Sequence, residues 1–393
     1  MQNGARVVSY RGLIFNGWVV ATSIHTAHGW SKGVRTLASH STVKMSAADS
    51  LAPVGERDSG ISIDGIRAAS KRLQPHVHRT PVLTCSALNE LAGGKELYFK
   101  CELFQKTGSF KARGACNAVL LTSPDCPDVV THSSGNHAQA LAWAAKARGL
   151  NAHIVMPSDA PPVKVASVRG YGATVTLCEP TTKGRKDTAA AIVAKLPNSK
   201  LIPSSDDVHV VCGQGTVGLE LVEQVRELTN GSDLDAVIVP VGGGGLIGGV
   251  TTAVKAMCPG IRVIGAEPEE ADDAYRSKLT GELCGHKGGE LPDTVADGLR
   301  INLSDKTWPI VRDDVDEIVT VPEEEIKHWM RVIYERMKLV IEPSAAVGVA
   351  VLMSPTVRNR CFNTDGTPPR IGIVLCGGNV DVSKLQMLLV GED

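Results

Sequence analysis

The chain has 393 residues, of which 43% are hydrophobic, 21% charged and 4% aromatic, and its formal net charge is −1. This length exceeds one compact core and calls for two packed units, and the composition is that of an ordinary soluble α/β protein. A balanced charge without a Lys/Arg run excludes the footprint of a nucleic-acid partner, and no stretch approaches the roughly 18–20 apolar residues of a membrane span; the nearest candidate, 13–24, is interrupted by Asn16 and Thr22.

Residues 1–50 differ from the rest: Arg6, Arg11, Lys32, Arg35 and Lys44 precede the first acidic residue, Asp49. That bias fits a transit peptide to mitochondrion or plastid; a disordered extension of a cytoplasmic protein, or a start at Met45, fits it equally. From about residue 60, short apolar runs alternate with helical patterns, as in βαβ units around parallel sheets. Strands are predicted over 151–157, 173–178, 236–241, 261–266 and 371–376, and helices over 137–148, stopped by Gly149, and 325–338. The expected domains are a large one from 51–127 and 207–393 and a small one, 128–206, inserted between, with the site in the cleft. The ten cysteines form no CxxC pair or zinc-spaced cluster and read as buried thiols of a reducing compartment.

Four segments carry chemistry. In Glu102 to Gly114, a Gly-containing turn leads to Ser109-Phe110-Lys111 and a helix, a place where a lysine can be desolvated into a neutral nucleophile; read alone, Lys111 is as well a solvated helix residue. Ser133-Ser134-Gly135-Asn136-His137 precedes an Ala-rich helix. Its serines either cap that helix or, with the free N–H groups, receive a substrate carboxylate, and His137 is equally a buried structural histidine. Gly242 to Gly245 follow a strand and open a helix at Leu246, which suits a phosphate gripped by backbone N–H groups or a plain structural turn; no Walker or dinucleotide pattern fits. Cys376-Gly-Gly-Asn379 ends the last strand, where Cys376 is either a core cysteine or a neutral thiol facing a pyridine nitrogen.

In this order and spacing the segments resemble the fold type II pyridoxal-phosphate (PLP) enzymes, within them the serine racemase and serine/threonine dehydratase group. The likeness runs from about Ile61 to Asp381 and includes ThrProVal at Thr80, GlyGlnGlyThr at Gly213, AlaAspGly at Ala296 and ArgMetLysLeuValIleGluProSerAla at Arg336. The resemblance implies two domains, each with a mostly parallel twisted sheet flanked by helices. It implies that Lys111 holds PLP as a Schiff base, Phe110 packs by the ring, Asn136 bonds the ring hydroxyl, Gly242, Gly243, Gly244, Gly245 and Leu246 hold the phosphate, and Cys376 meets the ring nitrogen. Ser133, Ser134, Asn136, His137 and Arg185 would bind a small amino-acid substrate, serine or threonine. Lys111 and Ser134 would act as bases on opposite faces, giving racemisation of serine with elimination to pyruvate and ammonia. A dehydratase with little racemase activity is the alternative, favoured by Cys376 and opposed by Ser134; a non-catalytic amino-acid sensor is the third reading. The resemblance further implies a divalent-cation site (Mg²⁺, Ca²⁺ or Mn²⁺) at Glu267, Ala271 and Asp273, otherwise a solvated acidic loop, and a homodimer. It also implies ATP as an effector at Lys106, Thr107, Gln139, Tyr171, Lys338 and Asn379, although Cys85 stands where the group carries a serine at that site; Ile301 stands where it carries a substrate-side serine, a departure that bears on substrate preference.

Overall fold

The computed structural model describes residues 60–286, 291–360 and 366–390. The extension over 1–50 lies outside them.

Each of the five runs predicted as strands is one: 151–157 keeps both its ends, and the ends of the others move by no more than two residues. The ten strands are β1 (Val82–Leu83), β2 (Glu96–Cys101), β3 (Asp128–His132), β4 (Asn151–Pro157), β5 (Thr174–Cys178), β6 (Lys200–Leu201), β7 (Ala236–Pro240), β8 (Arg262–Pro268), β9 (Glu317–Val321) and β10 (Arg370–Leu375). They form two sheets. One has the order β1-β2-β10-β7-β8-β9, parallel except for β1 against β2; the other, β5-β4-β3-β6, is wholly parallel and is built from residues 128–201. β7 is buried throughout and β10 over Ile371–Leu375, so both are apolar runs, as expected of strands covered on two faces. The predicted helices are observed as Asn136–Arg148 and Glu323–Met337.

The 21-residue helix Val208–Leu228 lies against the helices Lys111–Leu120 and Gly245–Met257. Here GlyGlnGlyThr has its reason: a Cβ at Gly213 would stand 2.6 Å from Gly114 Cα, and one at Gly249 2.6 Å from Gly215 N. The same contact buries a charge cluster. Arg113, with no exposure, donates to Glu102 Oε2 at 2.8 Å and Glu220 Oε1 at 2.7 Å, while Lys100 Nζ reaches Glu220 Oε2 at 2.6 Å. Two cations balance two carboxylates, so no buried charge is left alone, and the first turn after Lys111 is tied to β2 and the long helix. Nine cysteines are described and all are free, but Cys85, Cys178 and Cys284 are only half buried, which corrects the uniform burial expected of them. Among the described residues no helix is long and apolar enough to cross a membrane.

Candidate active site

The carboxyl ends of β2, β10 and β7 adjoin in the larger sheet, and sites of open α/β sheets form beyond such ends. After β2 the chain turns through Thr107 (φ 58°) and Gly108 (φ 74°), where a Cβ would stand 2.5 Å from Asn379 Oδ1. It then pairs with the segment leaving β10: Phe110 N donates to Cys376 O at 3.1 Å and Gly378 N to Gly108 O at 2.9 Å. This pairing places Lys111 at a helix start beside Cys376. Lys111 Nζ lies 5.0 Å from the Phe110 ring centre and donates to Ser204 O at 3.0 Å. Desolvation pushes its amine down to about 8, against the pull of Cys376 and Glu342. Burial, then Glu342, pushes the Cys376 thiol up, so it is neutral.

The next residue, Ser205, meets the glycine turn. A Cβ at Gly243 would collide with Ser205 Oγ, and one at Gly245 would stand 3.2 Å from Ser205 Cα. Ser204 and Ser205 therefore bring Lys111 and the glycine turn together. Gly244, at φ 80°, is the N-cap of a helix that begins at Gly245, one residue before the expected Leu246, and no side chain caps it. Its first N–H groups are thus free for an anion, in a cradle that a side chain would fill. Thr307 Oγ1, which donates to Gly243 O at 3.1 Å, fixes the turn from behind and would collide with a Cβ at Gly244. These groups fit a phosphate-bearing aldehyde. Gly244→Ala is expected to weaken PLP binding by about tenfold or more, since an L-residue here is strained by about 1–2 kcal/mol before the collision is counted; equilibrium titration with PLP reads it.

Ser133 to His137 leave the end of β3. Neither serine caps the helix, contrary to one expected reading: the N-cap is Gly135, without a side-chain bond, and Ser133 Oγ instead accepts from Gly135 N at 3.3 Å. The backbone at Gly135 (φ −121°, ψ −140°) is what turns the chain into the helix. Ser134 is half buried. His137 is 1% exposed and donates from Nε2 to Ile202 O at 3.0 Å, so Nδ1 carries a lone pair, and that atom has no partner. Burial, then Lys111, pushes it down to about 3, so the ring is neutral. Arg185, on the helix Thr182–Lys195, bonds Thr182 Oγ1 at 3.2 Å, and its charge adds to burial in lowering His132, the residue before Ser133.

Asn136 donates from Nδ2 to both oxygens of Glu342, at 2.9 and 3.0 Å, and accepts from Asn379 Nδ2 at 2.8 Å. Glu342, Ser205 and Thr307 were given no role from sequence. For Glu342 the one signal was a carboxylate at a helix-opening GluProSer, inside a segment quoted only for likeness.

Of the proposed cation ligands, Glu267 has no exposure and accepts from Ala274 N at 3.1 Å and Tyr275 N at 2.7 Å; Asp273 is 1% exposed and accepts from Leu303 N at 2.7 Å. Burial, then Asp273, raises Glu267 well above the carboxylate range, and burial lifts Asp273 to about 6. Among the described residues no three His, Cys, Asp or Glu side chains converge as metal ligands. Of the expected ATP residues, Thr107 and Asn379 meet through Asn379 Nδ2 and Thr107 O at 2.7 Å, while Lys106, Gln139, Tyr171 and Lys338 make no hydrogen bond to that pair.

The family model for pyridoxal-phosphate dependent enzymes matches residues 73–377. A serine racemase of Dictyostelium discoideum is 45% identical over 331 residues, covering 84% of this chain and 98% of that protein. A crystal structure of serine racemase from the same organism superposes with a TM-score of 0.75 at 45% identity, over 82% of this chain and 100% of the other. A crystal structure of a T.th. threonine deaminase gives a TM-score of 0.75 at 42% identity, over 81% and 99%. With Lys111, the glycine cradle and the neutral Cys376 assembled at one set of strand ends, the chain belongs to the pyridoxal-phosphate-dependent enzymes of fold type II, in their serine racemase family.

Proposed function

We propose that the protein interconverts L- and D-serine and also eliminates the β-hydroxyl of serine to release pyruvate and ammonia. The observation that carries this reading is the convergence of the Lys111 amine and the Gly242–Gly245 turn on Ser204 and Ser205. PLP, when bound, supplies an electron sink for the bond electrons at Cα, and the neutral Cys376 thiol leaves that sink weaker than a carboxylate would. Lys111, lowered toward neutrality, holds or takes a proton on one side of Cα. Ser134 supplies the opposite side, and the uncapped start of the helix Asn136–Arg148, with Arg185 nearby, receives the carboxylate. Support for serine comes from the likeness to serine racemases, and support for elimination from the likeness to threonine deaminase. Incubation with L-serine, with D-serine read by chiral chromatography and pyruvate by coupled assay, tests both. Pyruvate without D-serine would replace the racemase by a dehydratase, and neither product would leave the sensor reading.

The same reading includes a divalent cation at Glu267, Ala271 and Asp273. It is supported by two buried carboxylates, the Asp273 charge adding to burial in raising Glu267, and by Asp273 Oδ1, which faces His286 Nδ1 at 3.2 Å without forming a hydrogen bond. Mg²⁺ is expected to raise the thermal midpoint of chelated protein, by the equivalent of about 2.7 kcal/mol at a hundredfold excess over Kd; an unmoved midpoint with Mg²⁺, Ca²⁺ and Mn²⁺ refutes the site. ATP as an effector, supported by the Thr107 and Asn379 contact, and a homodimer complete the proposal. Isothermal titration with ATP and sedimentation equilibrium test them.

A further inference from the structure

Glu342 has no part in the roles above, yet it is the buried carboxylate closest in bonding to the cofactor's expected partners. It stands 3% exposed at the N-terminus of the buried helix Pro343–Met353. Its backbone N donates to Gly377 O at 3.1 Å, and a Cβ at Gly377 would stand 2.7 Å from Glu342 Oε1 and 3.1 Å from Ser109 Cβ, so the carboxylate is wedged between the segments that carry Lys111 and Cys376. Asn379 Nδ2 faces two oxygens, Thr107 O and Asn136 Oδ1, which defines its own amide and the oxygen end of Asn136. The nitrogen of Asn136 then faces Glu342. That nitrogen lies almost equally far from the two carboxylate oxygens, which subtend a narrower angle there than its two N–H bonds. One hydrogen therefore forks over the carboxylate and the other is left for a further acceptor.

We propose that Glu342 is a positioning residue for the hydroxyl edge of the cofactor, holding the Asn136 amide so that its second N–H turns to the ring oxygen, and supporting with its charge a proton on the lysine-linked nitrogen at Lys111. The inference rests on the reading of Lys111 and Asn136 as cofactor residues. The charged and titratable groups that face Glu342 are Asp297, Lys164, Lys111 and Cys376, and Asp297 and Lys164 are themselves ion-paired. Burial, then Asp297, lifts the carboxyl to about 7, while Asn136 and Lys164 draw it down, so it ionises near neutral pH and is one of two groups raising Lys111 against burial.

The test uses the holoenzyme. Borohydride trapping of PLP on Lys111 in the wild-type protein comes first; its failure would overturn the cofactor assignment itself, apart from any role of Glu342. In Glu342→Gln, which keeps the shape and removes the charge, the pH midpoint of the visible cofactor absorption is expected to fall by about one unit, the effect of one buried neighbouring charge. Its PLP dissociation constant is expected to rise about tenfold, the equivalent of one charge-assisted hydrogen bond, and Glu342→Asp should recover part of both. Asn379→Ala, which frees the Asn136 oxygen but leaves the carboxylate, should weaken PLP binding without moving the midpoint. A wild-type midpoint and affinity in Glu342→Gln overturn the proposal. Should that variant fail to fold, wild-type PLP affinity in Asn379→Ala overturns it instead.

Discussion

Lys111→Ala is expected to lose both racemisation and elimination by about 10⁴-fold or more, and to lose the borohydride-stable pyridoxyl adduct, while remaining folded. Its amine makes one hydrogen bond, to Ser204 O, and is disfavoured as a charge by burial, so the truncation removes a strained group together with one bond. Lys111→Arg should be as inactive, because a guanidinium cannot become a neutral nucleophile. The sign of a linked effect follows from the same burial. The folded amine titrates near 8 and the unfolded one at 10.5, so the unfolded chain holds more protons between these values. Apoprotein stability should therefore rise as pH increases from about 8 to 10.5, with the cost of the buried charge fully present below 8, and this slope should vanish in Lys111→Ala. Denaturant midpoints across that range read the slope, and mass spectrometry after reduction reads the adduct. An adduct of wild-type yield on another lysine would remove Lys111 from the mechanism.

Ser134→Ala should lower racemisation by about 10²–10⁴-fold, the usual worth of a positioned acid or base, and leave pyruvate formation within about tenfold. Inversion at Cα needs a proton taken on one face and returned on the other, whereas elimination needs removal of that proton and departure of the β-hydroxyl. The fold makes this variant unusually clean. A serine that capped the Asn136–Arg148 helix would cost about 0.5–2 kcal/mol on truncation, but the cap is Gly135, so the change in stability should stay within about 0.5 kcal/mol. D-serine and pyruvate measured on the same samples, beside a denaturant titration, separate the two. Equal loss of both products would deny Ser134 its separate role.

The sequence by itself determined five of the ten described strands and two of the helices, the lysine turn, the serine loop, the glycine tetrad and the final Cys376. All of these are encoded locally, in hydrophobic period, helix punctuation and residues that tolerate special backbone. Its errors were also local. Two hydroxyls before a helix looked like caps, and only the backbone at Gly135 decided that they are not. Tertiary structure alone decided which partners complete the site. Asn136 and Glu342 are 206 positions apart, and Lys111 meets Ser204 across 93. They meet because the order β2-β10-β7 brings distant strand ends side by side, and because long buried helices pack through glycines close enough to fix the turns between them. No pattern along the chain carries that information, since side-chain partnership is a property of strand order and packing distance, whereas sequence spacing records only the conformation of each segment.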